Sequence, residues 1–243
     1  NAVHYEEFPD DFIFQEFAST NKLITIDRIL KTQKDTESYL NHGFLPGAAE
    51  SNNHKLVESL IRLGVTYFDN GLMKCCKYGH YELAEKLISY GIASINRPMQ
   101  QASYFGHINC VNLLLKYGAN NFDECLRSTC CIGRLDIAKL MIFRGATNFN
   151  ESMMEASFRG QLSSVNLLLN HGANNFNTCL EFACCKGHQD IAELMISRGA
   201  NDFSAGFSSA CENNQFDMMR LMISKGVTYC KQCNRAASLH RLD

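Results

Sequence analysis

The sequence predicts an all-α fold, a solenoid of short helix–turn–helix units stacked side by side. Three observations predict it. A Gly followed by a small or β-branched residue recurs at Gly64, Gly91, Gly118, Gly145, Gly172, Gly199 and Gly226, each 27 residues after the last. A fixed period between about 20 and 50 residues is the mark of a repeat array. Within each period, two apolar patterns of helical spacing are separated by a Gly or Asn. Each unit is too small to shield its own apolar faces and must stack on its neighbours.

With the recurring Gly as position 1, position 6 reads Asp69, Asn96, Asp123, Asn150, Asn177 and Ser204. All are N-cap types, whose side-chain oxygen accepts an unpaired N–H of a first helical turn. A first helix, helix A, is expected to start there. Position 9 is apolar (Leu72, Met99, Leu126, Met153, Leu180, Phe207) and position 12 is small (Cys75, Ala102, Thr129, Ala156, Ala183, Ala210). Position 13 is Cys or Ser throughout. Helical geometry puts positions 9, 12, 13 and 16 on one face, the expected core face. Position 16 is Gly79, Gly106, Gly133, Gly160 and Gly187, then Asn214, residues that tolerate positive φ and stop a helix. Helix B follows over positions 19–26, with Leu140 and Leu167 among its expected core residues. A longer period of 54 residues overlies the first: the units at 118 and 172 share CL, CC and DIA-x-LMI, and those at 91 and 145 share VNLLL.

The array is expected over residues 37–225. Its first unit is degenerate, and Pro46 at position 10 should shorten helix A there. Residues 1–36 read as a capping helical pair: Asp11, Phe14, Phe17, Ala18 and Asn21 match positions 6, 9, 12, 13 and 16. Residues 226–243 read as a degenerate C-terminal cap.

Composition narrows the function. The net charge is −2 and no basic stripe appears, which argues against nucleic acid as a partner. The apolar runs are too short for a membrane span. The acidic opening NAVHYEEFPDDF lacks the apolar core of a secretion signal. Most of the 12 cysteines fall at fixed repeat phases, where a free Cys acts as a small buried hydrophobe. A reducing, cytoplasmic setting is therefore expected.

Gly79-His80, Gly106-His107 and Gly187-His188, each followed by an apolar helix ending in L-L/M-I/L-x-x-G-A, give the array a resemblance to ankyrin repeats. The usual ankyrin unit is about 33 residues and carries T-P-L-H; here T-P is absent and the unit is six residues shorter. The resemblance implies a right-handed α-solenoid of helix–turn–helix repeats without long β-hairpins. It is to the compact variety found in giant DNA viruses and some intracellular microbes, where the host-cell cytoplasm would be the setting. It also implies a non-catalytic protein-interaction scaffold that meets its partner on the helix-lined, concave helix-A face, and a position-17 His that ties down the turn between helices.

With 9, 12, 13 and 16 inward, positions 7, 11 and 14 face outward and 10 and 15 flank them. These columns nominate a partner-binding set: Lys74, Lys77, Tyr104, Phe105, Arg127, Cys131, Glu155, Phe158, Arg159, Phe182 and Cys185. Aromatic side chains rimmed by polar ones are what an interface needs. Two further motifs stand outside the array. Cys230, Cys233 and His240 are of zinc-ligand type, three where a structural site takes four, and zinc at this tail is the one cofactor to consider. FPDDFIFQEF resembles the opening of an F-box, which would make the chain a ubiquitin-ligase substrate adaptor. The adjacent cysteines Cys75-Cys76, Cys130-Cys131 and Cys184-Cys185 read as core packing, with Cys131 and Cys185 the more exposed members. No catalytic set can be assembled, because repeat columns hold reactive side chains apart.

Overall fold

A computed structural model describes residues 39–227. The capping segment, the F-box-like stretch and the Cys230/Cys233/His240 tail lie outside the described residues. Within them are fourteen α-helices, joined by turns, and no strand.

The chain divides after Asn121 into two compact units. In the first, α1 (Leu45–Glu50), α3 (Asp69–Tyr78) and α5 (Asn96–Phe105) are the A helices, and α2 (His54–Arg62), α4 (Tyr81–Ser89) and α6 (Ile108–Lys116) the B helices. In the second, α7 (Phe122–Cys131), α9 (Phe149–Phe158), α11 (Phe176–Lys186) and α13 (Phe203–Glu212) alternate with α8 (Leu135–Phe143), α10 (Leu162–Leu169), α12 (Gln189–Ser197) and α14 (Phe216–Ser224). Each A helix packs on its own B helix and on the A helix of the next repeat in the same unit.

The A-helix core is made by positions 8, 9, 12 and 13: the expected 9, 12 and 13 are buried, and position 8 takes the place of the expected 16. Cys125, Ser152 and Cys179 at position 8 are fully buried, and Gly71, Pro98 and Gly206 in that column are buried too. Small side chains there let successive A helices approach closely: a Cβ on Gly71 would sit 3.1 Å from Leu45. Position 16 belongs to the turn, as its stop role required. Helix B buries positions 20, 21 and 24, such as Leu83, Ala84 and Leu87 or Ile191, Ala192 and Met195. Leu140 and Leu167, expected in the core, are only half-buried at position 23; Met141 and Leu168, one residue on, are fully buried. Cys75, Cys76, Cys130 and Cys184 are fully buried free thiols, while Cys131 and Cys185 are half-buried. Burial pushes the Cys130 and Cys184 thiols up to about 12, so they stay protonated.

The position-6 residues do not cap their own helices. Helix A begins at position 5 or 6, so these side chains lie inside its first turn, and those of Asp69, Asn96, Asp123, Asn150 and Asn177 reach sideways to the next repeat. Asp69 Oδ1 accepts the backbone N–H groups of Ala93 and Ser94 at 3.1 and 3.2 Å, and Asn96 accepts that of Asn120 at 2.9 Å. In the second unit Asp123 accepts from Thr147 and Asn148 at 2.6 and 3.1 Å. Asn150 accepts from Asn174, and Asn177 from Asn201 and Asp202. The extended turn from helix B to helix A has backbone donors that no hairpin partner takes, and these rungs satisfy them. True caps sit elsewhere: Asn53 accepts from Leu56 N–H, and Asp202 from Ala205 N–H.

The first repeat obeys the same logic with one residue added. A π-helical turn, Tyr39–Phe44, precedes α1 and holds Asn41 where it accepts Thr66 and Tyr67 N–H at 3.0 and 3.1 Å. Pro46 falls where the π-helical turn passes into the first turn of α1. The α-helical part is six residues, short as expected, within a helical run that is continuous from Tyr39 to Glu50.

Candidate interaction surface

The outward side of the A helices is organised by the position-17 column. His80 Nε2 lies 2.9 Å from the carbonyl of Glu50, His107 Nε2 3.0 Å from that of Lys77, and His188 Nε2 3.2 Å from that of Phe158. Every acceptor is position 14 of the preceding repeat. The last carbonyls of a helix have no partner of their own, and the imidazole of the next repeat supplies one. The ring reaches it by lying against the position-16 Gly. A Cβ on Gly79 would stand 2.5 Å from His107 Nδ1, and one on Gly160 2.5 Å from His188 Cε1. That Gly is thus fixed twice, by φ of +80° and +74° at these two sites and by the ring packed on it. The turn that the His holds down is that of the preceding repeat, so the His ties one repeat to the next.

The clamp fixes the backbone of two residues nominated for partner binding, Lys77 and Phe158. In the first unit, Lys74 and Lys77 extend from α3 and Tyr104 and Phe105 from α5. Tyr104 and Phe105 are 42% and 37% exposed, with their rings edge to face at 5.1 Å. Lys77 Nζ sits 5.5 Å over the Phe105 ring and 5.1 Å over Tyr78. Lys74 Nζ binds Glu50 Oε2 at 2.7 Å, and Tyr78 Oη donates to Glu50 Oε1 at 2.6 Å. Burial pushes the Glu50 carboxyl up, but the hydrogen bonds from Lys74 and Tyr78 and the charges of Lys74 and Lys77 outweigh it and hold its pKa below the ordinary value.

The second unit holds the remaining seven nominated residues. The rings of Phe158 on α9 and Phe182 on α11 meet edge to face, 5.8 Å apart at 85°. Two cations cover Phe158: the Lys186 Nζ at 4.6 Å and the Arg159 guanidinium at 5.7 Å. Glu155 accepts from Arg159 Nε at 3.3 Å and from Cys131 Sγ at 3.6 Å. Burial and the Glu155 charge raise the Cys131 thiol, which keeps it a neutral donor. Cys185 is half-buried in the same column and Arg127 is exposed on α7. The structure thus brings Lys74, Lys77, Tyr104 and Phe105 together in the first unit and Cys131, Glu155, Phe158, Arg159 and Phe182 in the second. It adds Tyr78 and Lys186, both at position 15. That column is legible in the sequence as Tyr78, Phe105, Ile132, Arg159 and Lys186, flanking the outward positions. Among the described residues no group of three or more His, Cys, Asp or Glu side chains is placed to hold a metal ion, and no helix is long and apolar enough to cross a membrane.

Stacked helical hairpins with His-clamped A helices define an ankyrin-type repeat protein, and comparison with known proteins agrees. The family profile described as Ankyrin repeats (3 copies) matches residues 45–124, 126–205 and 153–233. The chain belongs to the ankyrin repeat family. Among solved structures it is similar to the human ASB11 ankyrin repeat domain, at 21% identity and a TM-score of 0.55, over 65% of this chain and 84% of that one. No curated protein sequence matches it. Ankyrin repeats as a class mediate protein–protein interaction and are typically non-catalytic.

Proposed function

We propose that this chain is a non-catalytic scaffold that binds a segment of a protein partner on its helix-A face. The observation carrying the reading is the pair of aromatic clusters, Tyr104–Phe105 and Phe158–Phe182, held half-exposed beside cations. Aromatic and Arg side chains dominate binding hot spots because they bury large area at small entropic cost. Lys74, Lys77, Tyr104 and Phe105 form the contact in the first unit. Arg127, Cys131, Glu155, Phe158, Arg159, Phe182 and Cys185 form it in the second.

The outward columns support this assignment by their variety. Position 14 reads Lys77, Tyr104, Cys131, Phe158, Cys185 and Glu212, while inward position 12 stays small. Stacking constrains the second column and leaves the first free for recognition. The test is co-purification of a partner from the native cell type with the wild-type chain and with Tyr104→Asp and Phe158→Asp chains of unchanged helical content. Capture should fall about tenfold or more for either variant, as hot-spot losses do. Undiminished capture by both variants refutes the assignment.

A further inference from the structure

Successive A helices meet through two columns, and the sequence carries both columns past the described residues. Position 8 of one A helix faces position 13 of the A helix before it in the same unit. A Cβ on Gly206 would lie 3.1 Å from Cys184 Sγ, and the Ser157 hydroxyl lies against the Cys179 thiol. A disulfide places the Cβ of one cysteine about 3 Å from the sulfur of the other, so two cysteines facing each other in these columns stand within bonding reach. Inside the array no such pair occurs. In sequence order the position-13 and position-8 partners are Cys76 and Pro98, Ser103 and Cys125, Cys130 and Ser152, Ser157 and Cys179, and Cys184 and Gly206, five pairs that each hold one cysteine. The next pair in register is Cys211 and Cys233.

Gly226 opens a further unit. Cys233 at position 8, Ala237 at position 12 and Ser238 at position 13 repeat the small residues by which A helices stack, while Asn234 departs from the apolar position 9. On the described side, α13 carries the matching face. Cys211 is half-buried there, whereas Cys76, Cys130 and Cys184 of the same column are fully buried. In a solenoid that column is covered by the helix of the next repeat. We propose that residues 231–241 form a further A helix stacked on α13, and that Cys211 and Cys233, so brought together, close to a disulfide under oxidation and latch this end of the array. The register thereby gives Cys233 a packing role in place of the zinc-ligand role that its spacing from Cys230 suggests. The co-reactant is a small disulfide of the glutathione class. One thiolate of the pair attacks it, forms a mixed disulfide and releases one small thiol. The second thiolate displaces the other small thiol and leaves the Cys211–Cys233 bond. The chain gives up two electrons and two protons, and the small disulfide takes them up as two thiols. In a reducing setting the pair stays open and packing alone holds the last helix.

The test equilibrates the reduced, natively folded full chain with oxidised glutathione, quenches it in acid, alkylates the remaining thiols and maps disulfides by tryptic mass spectrometry. Trypsin cuts after Lys231 and so puts Cys230 and Cys233 on separate peptides. The Cys211–Cys233 cross-link should exceed any other disulfide among Cys211, Cys230 and Cys233 about tenfold or more, because access decides which thiols exchange. Brief tryptic cleavage of the native chain after Lys231 should slow about fivefold or more on oxidation, since cleavage follows the opening of that end. The slowing should vanish in Cys211→Ser and in Cys233→Ser. Serine already occurs in both columns, as Ser157 at position 13 and Ser152 at position 8, so each variant keeps the stack. A Cys230–Cys233 disulfide as the main product, or no cross-link to Cys211, overturns the proposal. Zinc in the purified chain that is lost in Cys233→Ser also overturns it, because Cys233 is then a metal ligand. A Cys211–Cys233 bond that leaves the cleavage rate unchanged overturns the latch.

Discussion

Gly160→Ala measures the clamp that holds Phe158 in place. Gly160 has φ +74°, so any side chain there carries left-handed strain of about 1–2 kcal/mol. Its new Cβ would also lie 2.5 Å from His188 Cε1 and 2.7 Å from Nδ1, closer than real contacts allow. The imidazole must swing away, and its 3.2 Å bond to the Phe158 carbonyl goes with it. A lost hydrogen bond of this kind costs about 1 kcal/mol net. The sum for Gly160→Ala is about 2–3 kcal/mol. His188→Ala alone should cost about 1–2 kcal/mol, the bond and some packing. In the double variant only the strain of Gly160→Ala remains to be added, which leaves a coupling of about 1 kcal/mol between the two sites. The assay is urea unfolding of the full chain followed by circular dichroism, with the slope against urea checked for constancy. If Gly160→Ala costs as much in a His188→Ala background as in the wild-type chain, the ring is not what the glycine accommodates, and the clamp argument is wrong.

Two other perturbations separate core from surface and charge from burial. Leu168→Ala should destabilise by about 2–5 kcal/mol, because Leu168 is fully buried at position 24. The same change at half-buried Leu167 should cost about 1 kcal/mol, and equal costs in urea unfolding would contradict the helix-B packing described. Glu50 has a folded pKa held below its ordinary 4.5, so it contributes stability that is present above about pH 4.5 and lost as pH falls through the folded value. The thermal-stability gap between wild type and Glu50→Gln should therefore shrink between about pH 6 and about pH 3; a gap independent of pH would mean that Lys74 and Tyr78 do not favour the charged form.

Much of the fold was legible because the repeat acts as its own alignment. Seven glycines in register fixed the period, and six parallel copies of helix A separated invariant columns from variable ones without any second sequence. The errors came where a side chain serves a neighbour and not its own repeat. Asp and Asn at position 6 have the chemistry of an N-cap, and nothing local distinguishes a side chain that bonds its own helix from one that reaches 24 residues onward to Thr147 or Asn174. The position-17 His has the same ambiguity, since its acceptor lies 30 residues back. Position 8 was missed from the core face for a related reason. Gly71, Ser152 and Cys179 look indifferent as residue types, and only the approach of the adjacent A helix makes position 8 interior.

The same cross-repeat bonding bears on where a partner can be met. The short turn from helix B to helix A commits its N–H groups to the Asp/Asn rungs, and the end of helix A commits a carbonyl to the His clamp. Backbone on both sides of α3 and α9 is thereby consumed in holding repeats together, and recognition there passes to side chains. Those side chains were legible in the sequence as the columns that vary. Their grouping into two clusters was not, because it depends on which neighbouring repeat each long side chain leans toward. Lys77 leans forward onto Phe105 and Lys186 back onto Phe158, a choice made by the ring available and not by the repeat position. A variable column in such an array therefore names candidates one at a time, and the pairs that form an anchor are decided by reach between repeats.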